Sequence, residues 1–555
     1  MTGNLGIIEN NKLRSLLTKG PKFREKERVN WKMVQQCIDT GINDCVSSWA
    51  QYESVDVKIL SEWKVSLKDL VKNKIARIVK YKKLRGYGNP ICLKTLNRPD
   101  VRRDLAELHN RFVFVPTDKA QNNISIICKK FYVDSLLKEV NFSPDPQPDQ
   151  KDNTYITIRD SIDTIVNKHV QDVKRWNGII TDKQRKLPFL NWTPKMHKKP
   201  PKKRFIAASS SCTTKSTSAT ITLCLKLIQQ AHRIYCDRIK AYTGFNFFWI
   251  IQNSMELQQT LQKKGRNLAT YDFSTLYTSI PHDKLKEKIA QTVTKAFKGM
   301  NKKFIKVTTR SARWNNDKKG SNIDCTTLIE MIDWLIDNTF VTIGTSVFKQ
   351  VIGIPMGTDC APYLANLFLF AYEFEFLNDT LKLKDFSTLY KFNKCHRYID
   401  DLLTVNNDGV FNDFKGRIYP PELQLTCEDK SDKEVNYLDL HLEVKNSSIE
   451  YRLFDKRDNF GFEIVNFPDL SGNIPTSQSY GVFISQLVRY ARCCQKLIDF
   501  KNRTVLLVNK LLKQNFKFIK LCKTFRRFSC KYSHLLRKYN DFRCYDLKIL
   551  FHSTI

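Results

Sequence analysis

Residues 395–408 read CHRYIDDLLTVNND. Asp400 and Asp401 stand side by side between Tyr398-Ile399 and Leu402-Leu403. Asp is depleted from strand interiors and is almost never buried without a partner. Two adjacent carboxylates repel, so either a cation or water must meet them. Reading 397–399 and 402–405 as strands makes Asp400-Asp401 the two-residue tip of a hairpin, where Asp is accepted. Both carboxylates then project from one end of a sheet. Taken alone, the pair is equally a solvated turn.

A further carboxylate lies 128 residues upstream of Asp400, where NLATYDFSTLY (267–277) reads as a strand ending at Asp272. If the two strands are sheet neighbours, Asp272 joins Asp400 at one edge. Three carboxylates at one point call for hard cations. Mg²⁺ suits them, because it binds through one or two carboxylates and completes its shell with water and phosphate. Two such ions span the attacking and leaving oxygens of an in-line phosphoryl transfer. A third part is the turn GIPMGTDCAP (353–362). Gly353, Pro355 and Gly357 make it tight enough for backbone to approach a flat ligand, and Pro362 suits the first turn of a helix. The same turn also serves as an ordinary strand-to-helix connection.

The whole chain is strongly basic. Its 555 residues exceed one hydrophobic core, so two to four domains or subdomains are expected. Lys+Arg number 92 against 56 Asp+Glu, a net charge of +36. Such an excess repels itself unless a polyanion offsets it, which points to nucleic acid first and an anionic membrane surface second. The 16 Cys contain no C-x-x-C pair, the usage of reduced intracellular thiols. The start MTGNLGIIENNKL lacks a basic-then-apolar signal pattern. The most apolar run, YLANLFLFAYEFEFL (363–377), is short for a membrane span and is broken by Glu373 and Glu375. A soluble protein, either cytoplasmic or nuclear and not secreted, is the expectation.

Along the chain, the first hundred residues are basic and helical in pattern. Two β-rich runs at 112–115 and 124–128 flank a polar turn and predict a hairpin. Residues 141–154 form a Pro/Asp-rich loop. LPFLNWTPKMHKKPPKKRFIAASSS (187–211) packs cations around a Pro-Pro break before a short strand. From Gly265 strands and helices alternate. SARWNNDKKGSN (311–322) reads as a polar loop, 361–377 as a nearly all-apolar buried helix, and VNYLDLHLEV with IEYRLFDK as another hairpin. The pattern is helical from Ser477 onward. Interleaved elements joined mostly by hairpins predict an α+β fold, an antiparallel sheet backed by helices on one face.

YDFSTLY, GIPMGTDCAPYLANLF and RYIDDLLTV occur in order and resemble the three central palm motifs of reverse transcriptases. DFSTLYTSIPHDKL, MGTDCAPYLANLFLFAYE, LPFLNWTPKMHKKPPKKRFIA and VPTDKAQNNISIICKKFY narrow this further. They resemble the reverse transcriptases of Penelope-like retroelements, a group similar in its polymerase core to telomerase. The resemblance spans about 105 to 530. It implies a right-hand polymerase: a helical N-terminal region (1–105), mixed fingers (106–264), an antiparallel-sheet palm with helical insertions (265–470) and a helical basic thumb (471–555). It also implies an RNA-directed DNA polymerase that extends a primer 3′-hydroxyl with deoxynucleoside triphosphates on an RNA template. Two Mg²⁺, with Mn²⁺ as the substitute, would be its cofactors.

Carried onto this chain, Asp272 and Asp400 become the main metal ligands and Asp401 the supporting carboxylate. The Phe273 carbonyl would also face a metal. Tyr277 would crowd the sugar 2′ position and favour deoxynucleotides; its bland alternative is a core aromatic. Met356, where other reverse transcriptases often carry Gln, and Gly357 would line the nucleotide pocket beside the templating base. Lys203 and Arg204 would reach the triphosphate, an Arg fork suiting phosphate oxygens, with Lys119 as a second candidate. Each of these cations is otherwise a solvated surface charge. A lysine between Asp401 and YLDL should complete the site, and Lys430 and Lys433 compete for that place. HKKPPKKR (197–204) also reads as a nuclear localisation patch.

Between Lys501 and Lys548 stand 14 Lys/Arg and two Asp, interleaved with aromatics such as Phe516, Phe518, Phe525 and Phe528. A basic helical stretch of this kind suits a grip on a duplex backbone; a disordered tail is the alternative. Cys522, Cys530, His534 and Cys544 fit no zinc spacing. Many Penelope-like elements also carry a GIY-YIG endonuclease, and no such motif is found here. The resemblance then implies truncation, a nuclease from another chain, or priming from existing 3′ ends. The rival reading is a catalytically inactive or domesticated nucleic-acid binder derived from such an element.

Overall fold

The computed structural model describes residues 8–26, 31–50, 56–82, 95–142, 154–176, 178–261, 264–274, 276–317, 320, 322–427, 429 and 431–539. Helices and small antiparallel sheets make up the described residues, in agreement with the α+β expectation, but the central sheet has helices in the cores on both of its faces, not on one as expected. Much of the 141–154 loop, and Lys430, lie outside the described residues. Among the described residues no helix is long and apolar enough to cross a membrane.

The sheet that matters for the site has four strands, ordered Cys395–Tyr398, Asp401–Val405, Leu268–Phe273 and Leu425–Thr426. Alternation along Leu268–Phe273 and Asp401–Val405 gives the sheet two apolar faces. Tyr271, Phe273 and Leu402 enter one core, Leu268, Leu403 and Val405 the other. The first core is roofed by helices Lys215–Thr243, His282–Met300, Cys325–Asp337 and Ala361–Lys382. The last of these has Pro362 in its first turn and only Thr380 as a β-branched residue, and it is buried on every side from Leu364 to Phe370 before Glu375 and Asp379 open a face to solvent. Leu364, Leu367 and Phe368 are wholly buried in it. Each contributes roughly 1.5–3 kcal/mol of burial. The second core joins the sheet to a meander, Glu434–Tyr437, Leu440–Lys445 and Ser448–Leu453, and to helices Gly481–Cys493 and Leu497–Lys513.

Three local readings differ from expectation. The stretch expected as one hairpin at 435–456 is a three-stranded meander, because Leu438 adopts φ 55° and turns the chain. The expected polar loop at 311–322 carries strand Ala312–Asn315, which pairs with Phe304–Val307. Trp314 supplies the reason: its ring packs edge-on against Phe297 at 5.0 Å. The 187–211 stretch forms a full hairpin, Leu190–Lys195 with Lys202–Ala207, where only a terminal strand was expected.

Three imidazoles are buried inside this frame. His232 Nε2 donates to the Thr292 carbonyl at 2.9 Å, which fixes a neutral tautomer. Burial pushes His169, His232 and His396 each down to about 4. These values lie below the ordinary 6.5, so the unfolded chain takes up protons first as the solution is acidified. Their stability contribution is complete above about pH 6.5 and is lost as pH falls toward 4. Urea unfolding at pH 7 and pH 5 should therefore differ by several kcal/mol. His232→Gln should reduce that difference.

Candidate active site

The tip of the 395–405 hairpin is displaced by one residue from expectation. The strands end at Tyr398 and resume at Asp401, which pair with each other, so Ile399 and Asp400 form the turn. Ile399 takes φ 55°, a conformation that β-branched residues rarely adopt. What holds it there is a buried network. The Arg397 guanidinium is fully buried, bonds Glu373 at 2.5 and 3.0 Å, Asn366 Oδ1 at 2.9 Å and the Asn366 carbonyl at 3.1 Å, and donates to the Ile399 carbonyl at 3.1 Å. Tyr419 donates its hydroxyl to Glu373 at 2.8 Å. Every Glu373 oxygen is thus matched, and the helix Ala361–Lys382 is tied to the turn. Glu373, read from sequence only as a break in an apolar run, is the anchor. An acid inside an apolar run was the available signal, since a buried charge demands a buried partner.

The one-residue shift changes which carboxylates meet. Asp401, not Asp400, stands directly opposite Asp272 on the neighbouring strand. Opposed residues share a face, with Cβ atoms about 5 Å apart. Asp400 sits in the turn, and its carbonyl accepts the Phe273 amide at 3.1 Å. Burial, then Asp400, and also Asp272 push the Asp401 acid up to about 6, while Lys456 and Lys119 oppose them. Among the described residues no three His, Cys, Asp or Glu side chains form a ready metal cage. Two opposed carboxylates with a third in the adjoining turn still fit Mg²⁺, which takes few protein ligands and relies on phosphate for the rest. The raised Asp401 pKa marks negative charge that a cation would neutralise.

The turn at 353–357 packs against the loop that follows Asp272. Gly353 N donates to the Ile280 carbonyl at 2.7 Å, and Ile354 N to the Tyr277 carbonyl at 3.1 Å. Gly353 has φ 96°, and a Cβ there would lie 2.2 Å from the Tyr277 carbonyl oxygen. Tyr277 is half-buried beside this turn. Burial, then the neighbouring Asp400 and Tyr398, raise its phenol above the ordinary range. Gly357 has φ 81°, with the Ala207 carbonyl oxygen 2.4 Å from where a Cβ would stand. Ser209 also donates its hydroxyl to the Gly357 carbonyl. Gly357→Ala should cost more than about 2 kcal/mol through left-handed strain and backbone overlap, read as a lower urea midpoint. Met356 packs against the core around Trp192 and Val115. Phe273 is buried, its ring edge-on to Tyr419 at 4.9 Å.

The expected cations separate. In the hairpin Leu190–Lys195 with Lys202–Ala207, Thr193 faces Arg204 and Pro194 faces Lys203. Period-two alternation sends adjacent residues to opposite sides. Arg204 pairs with Asp118 at 3.3 Å. Lys203 instead lies over the Phe131 ring at 4.7 Å and near Trp192 at 5.6 Å, so it is not brought to the carboxylates. Lys119 sits at the tip between strands Phe112–Thr117 and Ala120–Cys128, with φ 61°. That tip docks on the Arg204 hairpin through Asp118 N and the Pro194 carbonyl, 3.0 Å apart. Burial lowers the Lys119 ammonium, and Lys456, then Arg204, lower it further against Asp118 and Asp401. Burial likewise lowers Lys195, with Arg204 next. Lys195 and Lys456 were missed by sequence reading. For Lys195 the signal was its alternation with Arg204 across the hairpin; for Lys456 there was none.

Lys433, one of two candidates for a completing lysine, donates to the Arg266 carbonyl at 2.7 Å and pairs with Asp432 at 3.4 Å. Both contacts lie at the start of the Leu268–Phe273 strand, the end away from Asp272. Structure therefore brings together Asp272, Asp400, Asp401, Tyr277, Lys119 and Lys456, with Arg204 against Asp118 at their edge.

No protein-family model matches the chain, and no curated protein matches it. Among solved structures it is similar to telomerase from Candida albicans in complex with a TWJ fragment of telomeric RNA. That likeness has 10% identity and a TM-score of 0.48, over 79% of this chain and 69% of the other. It is also similar to telomerase from Candida tropicalis. In complex with such an RNA fragment, the values are 12% identity and TM-score 0.39, over 82% of this chain and 67% of that one. The apo form gives 10% and 0.38, over 97% and 84%.

Proposed function

We propose that this chain is an RNA-directed DNA polymerase of the Penelope-like kind, extending a primer 3′-hydroxyl with deoxynucleoside triphosphates. The observation that carries the reading is the direct opposition of Asp272 and Asp401 across two strands, with Asp400 in the adjoining turn and cations on the facing hairpins. In this reading 265–470 is the palm, the hairpins at 112–128 and 190–207 belong to the fingers (106–264), and 471–555 is the thumb. The net charge of +36 supports a nucleic-acid partner, an RNA template with a DNA primer. A nuclear site of action fits that partner.

Asp272, Asp400 and Asp401 would hold two Mg²⁺, which when bound supply charge neutralisation and a more acidic primer hydroxyl. Arg204 and Lys119 meet the triphosphate, Arg as a fork and Lys as a point charge. Gly357 keeps backbone close to the base, with Met356 filling the space behind it. Tyr277 lies beside Asp400 and holds the sugar, leaving no room for a 2′-hydroxyl. Tyr277→Ala should therefore admit ribonucleotides, narrowing the preference for deoxynucleotides by about 10²-fold, a loss of about 3 kcal/mol in discrimination. Competing deoxy- and ribonucleotides in a template-directed extension assay reads this directly. Equal use of both sugars by the wild-type chain would remove the gate and leave an RNA-making polymerase.

A further inference from the structure

After the meander, residues 454–465 cross from the carboxylate sheet to the two basic hairpins. The segment is pinned along its length. Asp455 binds Arg457 at 2.6 and 2.8 Å and Arg489 at 3.6 Å. Asp458 takes Arg503 and, at 3.5 Å, Lys510. The Phe460 ring lies 5.8 Å from His197, next to the Arg204 hairpin. At the far end Asn123 closes a two-way bond, donating to the Glu463 carbonyl at 2.9 Å and accepting from Val465 N at 2.9 Å. The strap leaves the meander at Leu453, in register with Leu440 and through it with Tyr437, whose hydroxyl donates to the Asp401 carbonyl at 3.1 Å, and it ends on the hairpin that carries Lys119.

Within it Arg457 pairs with Asp455, and Asp458 pairs with Arg503 and Lys510 of the helix Leu497–Lys513. Lys456 is exposed and has no carboxylate within ion-pair distance among the described residues. We infer that Lys456 is a further phosphate-binding residue, meeting the triphosphate of the incoming nucleotide from the strap side, opposite Lys119 and Arg204. The inference rests on the polymerase reading. Electrostatics agree with the placement. After burial, Lys456 is the main influence lowering the Lys119 ammonium. Two lysines that repel each other across a site are held by the fold at a cost that an anion between them removes. A triphosphate is the anion that the neighbouring carboxylate site would bring. None of the sequence motifs contains Lys456; the strap delivers it.

The test uses the full chain with Lys456→Ala and Lys456→Arg. Because Lys456 is exposed, neither should alter the unfolding midpoint. Deoxynucleotide affinity is titrated calorimetrically, KM and kcat are taken from primer extension, and primer–template affinity is measured separately. Lys456→Ala should weaken nucleotide binding and raise KM about tenfold, the loss of one charge-assisted phosphate contact. Lys456→Arg should restore most of it, and primer–template affinity should move less than about twofold. Unchanged nucleotide affinity overturns the inference, and weaker primer–template binding alone would make Lys456 a duplex contact. If the wild-type chain extends no primer, the polymerase reading fails separately. Inorganic tripolyphosphate then decides: weaker binding by Lys456→Ala upholds the phosphate site, and equal binding overturns it.

Discussion

Arg397→Met should lower the unfolding free energy by about 3–5 kcal/mol, the cost of leaving a buried charge without its partner. Arg397 is 0% exposed and its guanidinium makes five hydrogen bonds, two of them to Glu373. Removing it strands the Glu373 carboxylate in the core between Tyr419 and Asn366. Glu373→Gln should cost somewhat less, since an amide keeps an acceptor for Tyr419 but loses the ion pair. The double variant Arg397→Met with Glu373→Leu should recover part of the loss, because both charges then leave the core. The same network holds the Ile399 carbonyl, so the single variants should also slow catalysis by loosening the Asp400 turn. Urea unfolding checks the claim; a loss below about 1 kcal/mol would mean that water reaches Glu373.

Asp401→Asn should separate stability from activity. Extension should fall by about 10³-fold or more, since about 4 kcal/mol of charge stabilisation at the transition state disappears. Stability should hold or rise. The folded chain keeps the Asp401 proton to about pH 6, whereas an unfolded Asp releases it near 4. Ionising Asp401 therefore costs the fold as pH rises through that window, and the cost persists at pH 7. Asn carries no charge to ionise, so the cost vanishes, and the thermal midpoint at pH 7 should rise by about a degree, about 1 kcal/mol. A variant that loses stability while retaining extension would contradict both halves.

Much of this was legible from local pattern. Leu268–Phe273 alternates, the first half of Ala361–Lys382 is apolar on every side, and the Asp pair interrupts an apolar run, each a signal of its own period. What escaped was register and facing. The hairpin tip was set one residue late because Ile is a poor choice for φ 55°, and only the long-range bond from Arg397 supports it there. That slip exchanged Asp401 for Asp400 as the partner of Asp272. Lys203 and Arg204 are equally basic neighbours, and composition cannot say which faces the cleft; the alternation of their strand against Leu190–Lys195 does. Lys456 escaped for a different reason. Its place depends on a strap pinned by Asn123, 333 positions away in sequence. Trp314 and Leu438 show the same limit, one hiding a strand in a polar stretch and the other a turn in an apolar one.

The most direct measurement is primer extension on an RNA template by the full chain, with Mg²⁺ and deoxynucleotides, beside Asp272→Asn and Asp401→Asn. The account predicts products whose sequence follows the template, lost on chelation and in both variants, while each variant stays folded and binds primer–template as tightly as the wild type. Extension that survives in either variant, or tight template binding by the wild-type chain with no extension at all, would contradict it.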